Sequence, residues 1–293
     1  MRAACVAVAV LLLPAGEIAA AGFADYARTH NVPVYEVEVA AEIPHSTQSF
    51  TQGLLYLDGV LYESTGLYGQ STVRKLDPAT GQVLQSVALD SDLFGEGLAY
   101  YEGELVQLTW LENVALVWSL PEMARTKSYR YDGEGWGLTA DEQSFIMSNG
   151  SPWLFRRGFE DFSLTDSVAV TIGGQRVNGL NELEYAGGHV YANFLGLDYI
   201  AEIDPATGFI TGVVDARALR DLVPGDVVNA PMNGIAYDSA SREFFLTGKL
   251  WPRIFRARLV TSFGKLGRSA TDSFPSGSQT RPTTERVITA RGW

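Results

Sequence analysis

Val32-Pro-Val-Tyr-Glu-Val-Glu-Val-Ala40 alternates apolar and polar positions, the period-two pattern of a half-buried strand. Downstream, one longer pattern recurs five times: a Gly-Leu-like start, a bulky residue, a turn and a second apolar strand. The starts are Gln52-Gly-Leu-Leu-Tyr56, Glu96-Gly-Leu-Ala-Tyr100, Trp136-Gly-Leu-Thr-Ala140, Asn181-Glu-Leu-Glu-Tyr185 and Asn233-Gly-Ile-Ala-Tyr237. The steps between them, 44, 40, 45 and 52 residues, match the period of a four-stranded propeller blade. The expected fold is therefore all-β, a five-bladed β-propeller of four-stranded antiparallel blades over residues 32–260.

Two outer hairpins are announced by Asp77-Pro-Ala-Thr-Gly81 and Asp204-Pro-Ala-Thr-Gly208, where Pro fixes a turn φ and Gly supplies a positive one. The last repeat is short. Residues 32–43 are expected to complete the blade containing 234–260 and so close the ring. Only Ala216 to Leu222 has helical character.

Innermost strands line a propeller's central channel, so one repeat position forms one ring of side chains: Gln52, Glu96, Trp136, Asn181 and Asn233. A repeat that only needed packing would place Val, Ala or Gly there, and this ring of carboxylate, amides and indole reads as a site. A second alignment uses the ends of the second apolar strands. It makes Trp110, Gly150, Leu195 and Lys249 equivalent and brings Lys249 toward the mouth that holds Glu96. An acid, a base and two indoles around one opening suit a small polar substrate with an apolar stem.

Composition narrows the partners. Residues 1–21 carry Arg2, an apolar stretch from Val6 to Leu13 and Ala19-Ala-Ala21, the marks of a secretory signal peptide. A periplasmic or secreted protein without membrane insertion is expected, since the apolar run falls short of the ~20 residues that span a bilayer. Cys5, the chain's single cysteine, lies in that segment, so the mature chain would have neither disulfide nor thiolate chemistry. The net charge is -12. Lys265, Arg268, Arg281, Arg286 and Arg291 against Asp272 and Glu285 give residues 261–293 a charge of +3, which leaves -15 on the rest. An acidic body argues against nucleic acid as a partner. The Ser/Thr/Arg-rich tail, 261–293, reads as disordered. His30, His45 and His189 are scattered and lack ligand spacing, so no metal and no cofactor are expected. Glu63 and Arg74 are placed to form a structural ion pair or to orient the site.

These residues leave three functions open. The ring of Glu96, Asn181 and Asn233 also fits a calcium-dependent lactonase-like hydrolase, against which Lys249 argues by repulsion, or a non-catalytic periplasmic propeller that binds peptides or other ligands. More specific are Phe50-Thr-Gln-Gly-Leu54, Tyr62-Glu-Ser-Thr-Gly-Leu-Tyr-Gly-Gln-Ser71, Phe94-Gly-Glu-Gly-Leu98, Leu108-Thr-Trp110, Gly133-Glu-Gly-Trp-Gly-Leu-Thr139, Leu180-Asn-Glu-Leu-Glu184 and Thr247-Gly-Lys-Leu-Trp-Pro252. Over about 35–260 the chain resembles the plant and bacterial type of glutaminyl-peptide cyclotransferase, a zinc-independent five-bladed propeller. The resemblance implies conversion of a peptide's N-terminal glutamine to pyroglutamate with release of ammonia. It implies Glu96 as general acid/base, with Phe50, Gln52, Trp110, Trp136, Asn181 and Lys249 at the other site positions.

The chain departs from the family at two places. Leu195 stands where a tryptophan is usual, with Phe194 and Trp153 as the rings that could replace it, and Asn149 stands where an aspartate is usual. A monomer is expected. The chemistry asks for little more than a folded-back glutamine side chain, one proton shuttle and donors for an oxyanion. Glu96 would be the shuttle, Lys249 an oxyanion donor, and the indoles of Trp110 and Trp136 the walls.

Overall fold

A computed structural model describes residues 22–224 and 230–261. The expected signal peptide and the tail beyond Thr261 lie outside the described residues. Strand β1 (Val34–Pro44) comes first in the sheet system. Three four-stranded antiparallel sheets follow. The first holds β2 (Thr51–Leu57), β3 (Val60–Thr65), β4 (Thr72–Leu76) and β5 (Val83–Ala88), and the second β6 (Gly95–Tyr101), β7 (Glu104–Thr109), β8 (Val114–Ser119) and β9 (Ala124–Arg130). The third holds β10 (Leu138–Ala140), β11 (Phe145–Met147), β12 (Trp153–Arg157) and β13 (Leu164–Ala169), and is followed by a hairpin of β14 (Thr171–Ile172) and β15 (Gln175–Arg176).

The remaining strands form one sheet of eight. It joins β16 (Leu180–Ala186), β17 (His189–Phe194), β18 (Tyr199–Ile203) and β19 (Ile210–Asp215) to β1, β22 (Arg253–Thr261), β21 (Glu243–Gly248) and β20 (Met232–Asp238). Strand β1 runs antiparallel to β22, with Tyr35 opposite Thr261, and parallel to β19 over Val34–Glu36. Thr261, assigned to the tail from sequence, is therefore a paired strand residue.

Burial explains why the strands differ in pattern. Residues 51–54 of β2 and 95–99 of β6 are buried without alternation, because the first strand of each sheet is enclosed on both faces. The fourth strands β5 and β9 are largely exposed. Cores lie between consecutive sheets, as where Leu54, Leu61 and Leu76 meet Ala236, Phe245 and Ile254. First strands touch in a closed cycle, β2 to β6, β10, β16, β20 and back to β2.

Both proline turns form as read. Asp77 Oδ1 accepts the Ala79 and Thr80 amides, and Gly81 has φ +70°; Asp204 and Gly208 (φ +72°) repeat the arrangement. The helices include a correction. Besides α2 (Arg217–Arg220), within the segment expected to be helical, there is α1 (Phe23–Thr29). A seven-residue helix is too short to be stable alone. It stands because Phe23, Ala24 and Ala27 are buried, with the Phe23 ring 5.0 Å from that of Phe194.

Candidate active site

A local irregularity recurs where the ring residues sit. The pairing of the first and second strands slips between Thr51 and Gly53, Gly95 and Leu98, Leu180 and Leu183, and Met232 and Ile235. Those slips bracket Gln52, Glu96, Asn181 and Asn233. A β-bulge re-aims its side chain and frees it from the ladder, so four first strands each turn a polar residue out of register. The fifth expected member differs: Trp136 lies two residues before β10, not on it.

The residue after each ring position must let neighbouring first strands approach. A Cβ on Gly97 would lie 2.3 Å from the Leu138 nitrogen, and one on Gly137 2.0 Å from the Asn181 oxygen. Side chains larger than hydrogen cannot occupy either position. In the fourth repeat this position is Glu182, whose carboxylate accepts the amides of Leu54 (3.1 Å) and Ile235 (2.8 Å) and so ties three first strands together. Burial pushes its carboxyl well above the usual range, and Glu184 adds to the shift.

The ring residues are joined in sequence. Asn233 Nδ2 donates to the Thr51 carbonyl at 2.9 Å and to Gln52 Oε1 at 3.2 Å. The carbonyl accepts only, which fixes the Asn233 amide and in turn that of Gln52. Gln52 Nε2 then donates to Glu96 Oε1 at 3.0 Å. Glu96 Oε2 has no partner among the described residues, although the residue is only 4% exposed. The Gly97 amide donates to the Trp136 carbonyl at 2.7 Å, and Ser148 Oγ donates to the Asn181 carbonyl at 2.6 Å.

Residues after the second strands complete the opening. Trp110 and Lys249 directly follow β7 and β21, and their amides donate to the carbonyls of Phe94 and Pro231. The Lys249 ammonium stands 4.8 Å above the Phe50 ring and is itself 6% exposed. No nitrogen–oxygen contact within 4.0 Å joins Lys249 to Glu96, yet their charges interact. Burial lowers Lys249 to about 8 against the pull of Glu96. Burial likewise pushes Glu96 well above the carboxylate range; Lys249 opposes the shift, and Glu112 and Glu134 reinforce it. An acid and a base are thus both held toward their neutral forms.

Aromatic rings wall the opening. Phe50, Phe94 and Trp110 form an edge-to-face series, with centroids 6.2 and 5.5 Å apart. Trp110 Nε1 and Trp136 Nε1 both donate to Glu134 Oε2, at 2.8 and 3.0 Å. That shared carboxylate sets the angle between the two indoles. Sequence reasoning missed this role, although Glu134 lies inside a motif it had singled out. Gly150 (φ +80°) leaves room for Trp136, since a Cβ there would fall 2.5 Å from the indole. Phe194 does not replace the absent tryptophan. It lies in the core beside Phe23, while Trp153 meets the guanidinium of Arg176.

Cavity size does not locate this site. A cleft of about 530 Å³ lined by Tyr35, Tyr191, Glu202, Tyr237 and Phe244 contains none of its residues. Among the described residues, no group of three or more His, Cys, Asp or Glu side chains is arranged to hold a metal ion.

The glutamine cyclotransferase family model matches residues 8–259. The chain belongs to the glutamine cyclotransferase family. It is 39% identical over 238 residues to the glutaminyl-peptide cyclotransferase of Arabidopsis thaliana, covering 80% of this chain and 74% of that one. The crystal structure of Myxococcus xanthus glutaminyl cyclase superposes with a TM-score of 0.75 at 40% identity, over 78% of this chain and 99% of that one. Phe50, Gln52, Glu96, Trp110, Trp136, Asn181 and Lys249, singled out from the sequence, all lie within the matched residues, as does Leu195.

Proposed function

We propose that this protein is a metal-independent glutaminyl-peptide cyclotransferase that converts N-terminal glutamine of peptides to pyroglutamate and releases ammonia. One observation carries the reading. Glu96 has one oxygen fixed by Gln52 and the other unengaged, in an opening walled by Phe50, Trp110 and Trp136 with a buried ammonium nearby. The α-amine attacks the γ-carbonyl carbon, forming the ring C–N bond. Glu96 takes the proton that the attacking nitrogen sheds and delivers it to the carboxamide nitrogen, so the breaking bond expels ammonia rather than an amide ion. A carboxyl raised well above its ordinary range lies closer to the α-amine's ~7.7–8.0 than a free carboxylate does, which reduces the free-energy mismatch of that transfer.

Lys249 and the Asn181 side-chain amide, which makes no hydrogen bond among the described residues, are the donors for the tetrahedral oxyanion. The rings fold the substrate's methylenes into attack geometry, which alone is worth several kcal/mol. Gln52 commits its amide oxygen to Asn233 and its amide nitrogen to Glu96, and Lys249 adds a positive charge. Both facts count against a calcium site and against the lactonase-like reading.

The closed cycle of first strands and the β1–β22 pairing support a five-bladed propeller whose last blade is completed by the N-terminal strand. We further propose an exported, monomeric enzyme. Among the described residues no helix is long and apolar enough to cross a membrane. The test is ammonia release from a glutamine-initiated peptide, before and after exhaustive chelation. Turnover should persist in chelator. Activity that chelation abolishes and zinc or calcium restores would make the metal-dependent reading the better one.

A further inference from the structure

Behind the Phe50 side of the opening lies a buried ionic cluster that the proton shuttle does not use. His45, between β1 and β2, has a side chain 2% exposed; Glu63 of β3 is fully buried. His45 Nδ1 faces the Trp251 carbonyl at 2.9 Å and Nε2 faces Glu63 Oε1 at 2.9 Å. A second oxygen near Nδ1, the Thr247 hydroxyl at 3.5 Å, donates its own proton to the Arg253 carbonyl and so offers only lone pairs. Both ring nitrogens therefore point at acceptors. A neutral ring would set one lone pair against an oxygen, so the geometry calls for the imidazolium.

Glu63 collects donors from the segment that enters β2. Thr51 Oγ1 donates to its Oε1 at 2.7 Å and Ser49 Oγ to its Oε2 at 3.2 Å; Arg74 of β4 donates to Ser49 Oγ at 2.7 Å and stands 3.6 Å from Glu63. The Leu250 amide donates to the Ser49 carbonyl at 2.7 Å, and the His45 amide to the Pro252 carbonyl at 2.9 Å. The cluster thus joins two stretches, 49–52 and 249–252. Phe50 and Gln52 lie in the first and Lys249 in the second.

We propose that His45, as an imidazolium paired with Glu63, is a positioning residue that holds Lys249 over Phe50 and keeps Gln52 on Glu96, so that loss of its proton loosens the active site. Its significance for turnover rests on the cyclotransferase reading; its protonation state does not. Burial alone would lower His45, but the charge and hydrogen bond of Glu63 and the Trp251 carbonyl outweigh burial and Arg74, and the ring stays protonated above its ordinary range. Glu63 is the mirror case. Burial would raise it, and His45, Arg74 and Thr51 bring it below its ordinary value. The charged groups facing the ring are therefore Glu63 and Arg74. The ring's stabilising effect is full below the free histidine value of ~6.5 and is lost as pH rises through its raised value. Glu63's is present above ~4.3 and is lost as pH falls through its lowered value.

The chain has three histidines, so their imidazole nitrogens can be followed individually by NMR in the intact protein. We expect His45 to carry protons on both nitrogens at pH 7. On titration it should lose one above the free histidine range, with the Phe50 ring and Lys249 side-chain resonances moving along the same curve. A His45 that is singly protonated at pH 7, or that titrates while Phe50 and Lys249 stay still, overturns the proposal whether or not the enzyme cyclises glutamine. In kinetics, His45→Gln should lower kcat by ~10- to 10²-fold, the scale of a sub-ångström to 1 Å misplacement, and should erase from the pH profile the step seen by NMR. A folded His45→Gln protein with wild-type kcat and an unchanged profile is equally fatal. Should that variant fail to fold, the wild-type titration decides alone.

Discussion

Replacing Glu96 with glutamine isolates the shuttled proton from everything else the residue does. The Gln52 amide donates to Oε1, which a glutamine retains, and Oε2 has no partner among the described residues to lose. Shape and hydrogen bonding survive while the base disappears. General acid–base catalysis is worth ~10² to 10⁴ in rate, so kcat should fall by that factor, about 3 to 5 kcal/mol of barrier. Stability should move the other way. A carboxyl raised on folding binds its proton more tightly in the folded state, so stability declines as pH climbs from ~4.3 through the raised value. Glutamine has no such decline, and Tm for Glu96→Gln should equal or exceed wild type at pH 7 to 8, with the gap closing near pH 4. Stopped assays of ammonia release and thermal melts on the same samples provide both readings. A folded variant that keeps more than about a tenth of wild-type kcat refutes the shuttle, because the loss would then lie below the range for proton transfer.

Lys249→Met should lower kcat by ~10²- to 10³-fold if the ammonium stabilises the oxyanion, and wild-type kcat should fall above pH about 8, where Lys249 loses its proton; a methionine variant of unchanged kcat would falsify that role. Trp136→Phe removes an indole N–H from Glu134 and shrinks the wall, so steady-state kinetics should show KM rising more than kcat falls. Gly150→Ala should do the same at a distance, since its methyl meets the Trp136 ring and its positive φ disfavours any side chain; an unshifted KM, with the indole unmoved in a crystal structure, contradicts this.

The repeat was legible because each sheet writes the same demand into the chain. A first strand must bury both faces, approach its neighbours at a glycine and present one residue at the bulge, so Gln52, Glu96, Asn181 and Asn233 appear in the sequence as the residue before a compact apolar start. Trp136 shares the motif without the strand. Its repeat has only three residues in β10 and β11, and the indole is placed instead by Ser148, Glu134 and the space over Gly150. Period alone cannot distinguish those two ways of reaching one ring. Helix α1 was invisible for another reason: two turns with no capping side chain have no local signal, and they exist only because Phe194 and Tyr199 wait to receive Phe23.

The carboxylates divide along the same line. Glu96 was recognisable because its repeat position has a geometric meaning. Glu63 and Glu134 occupy no repeat position and Glu182 stands where the other repeats have glycine, and their roles arise only when strands distant in sequence converge: Glu63 on His45 and Thr51, Glu134 on two indoles 24 and 2 residues away, Glu182 on the amides of Leu54 and Ile235. Each is an acceptor for donors that the fold would otherwise leave unmatched in a low-dielectric interior, where an unpaired polar group is costly. An acidic body is thus partly internal. The negative charge that argues against nucleic acid on the surface also serves inside, where Glu182 stitches first strands together and where Glu112 and Glu134 add to the burial that holds Glu96 toward its protonated form.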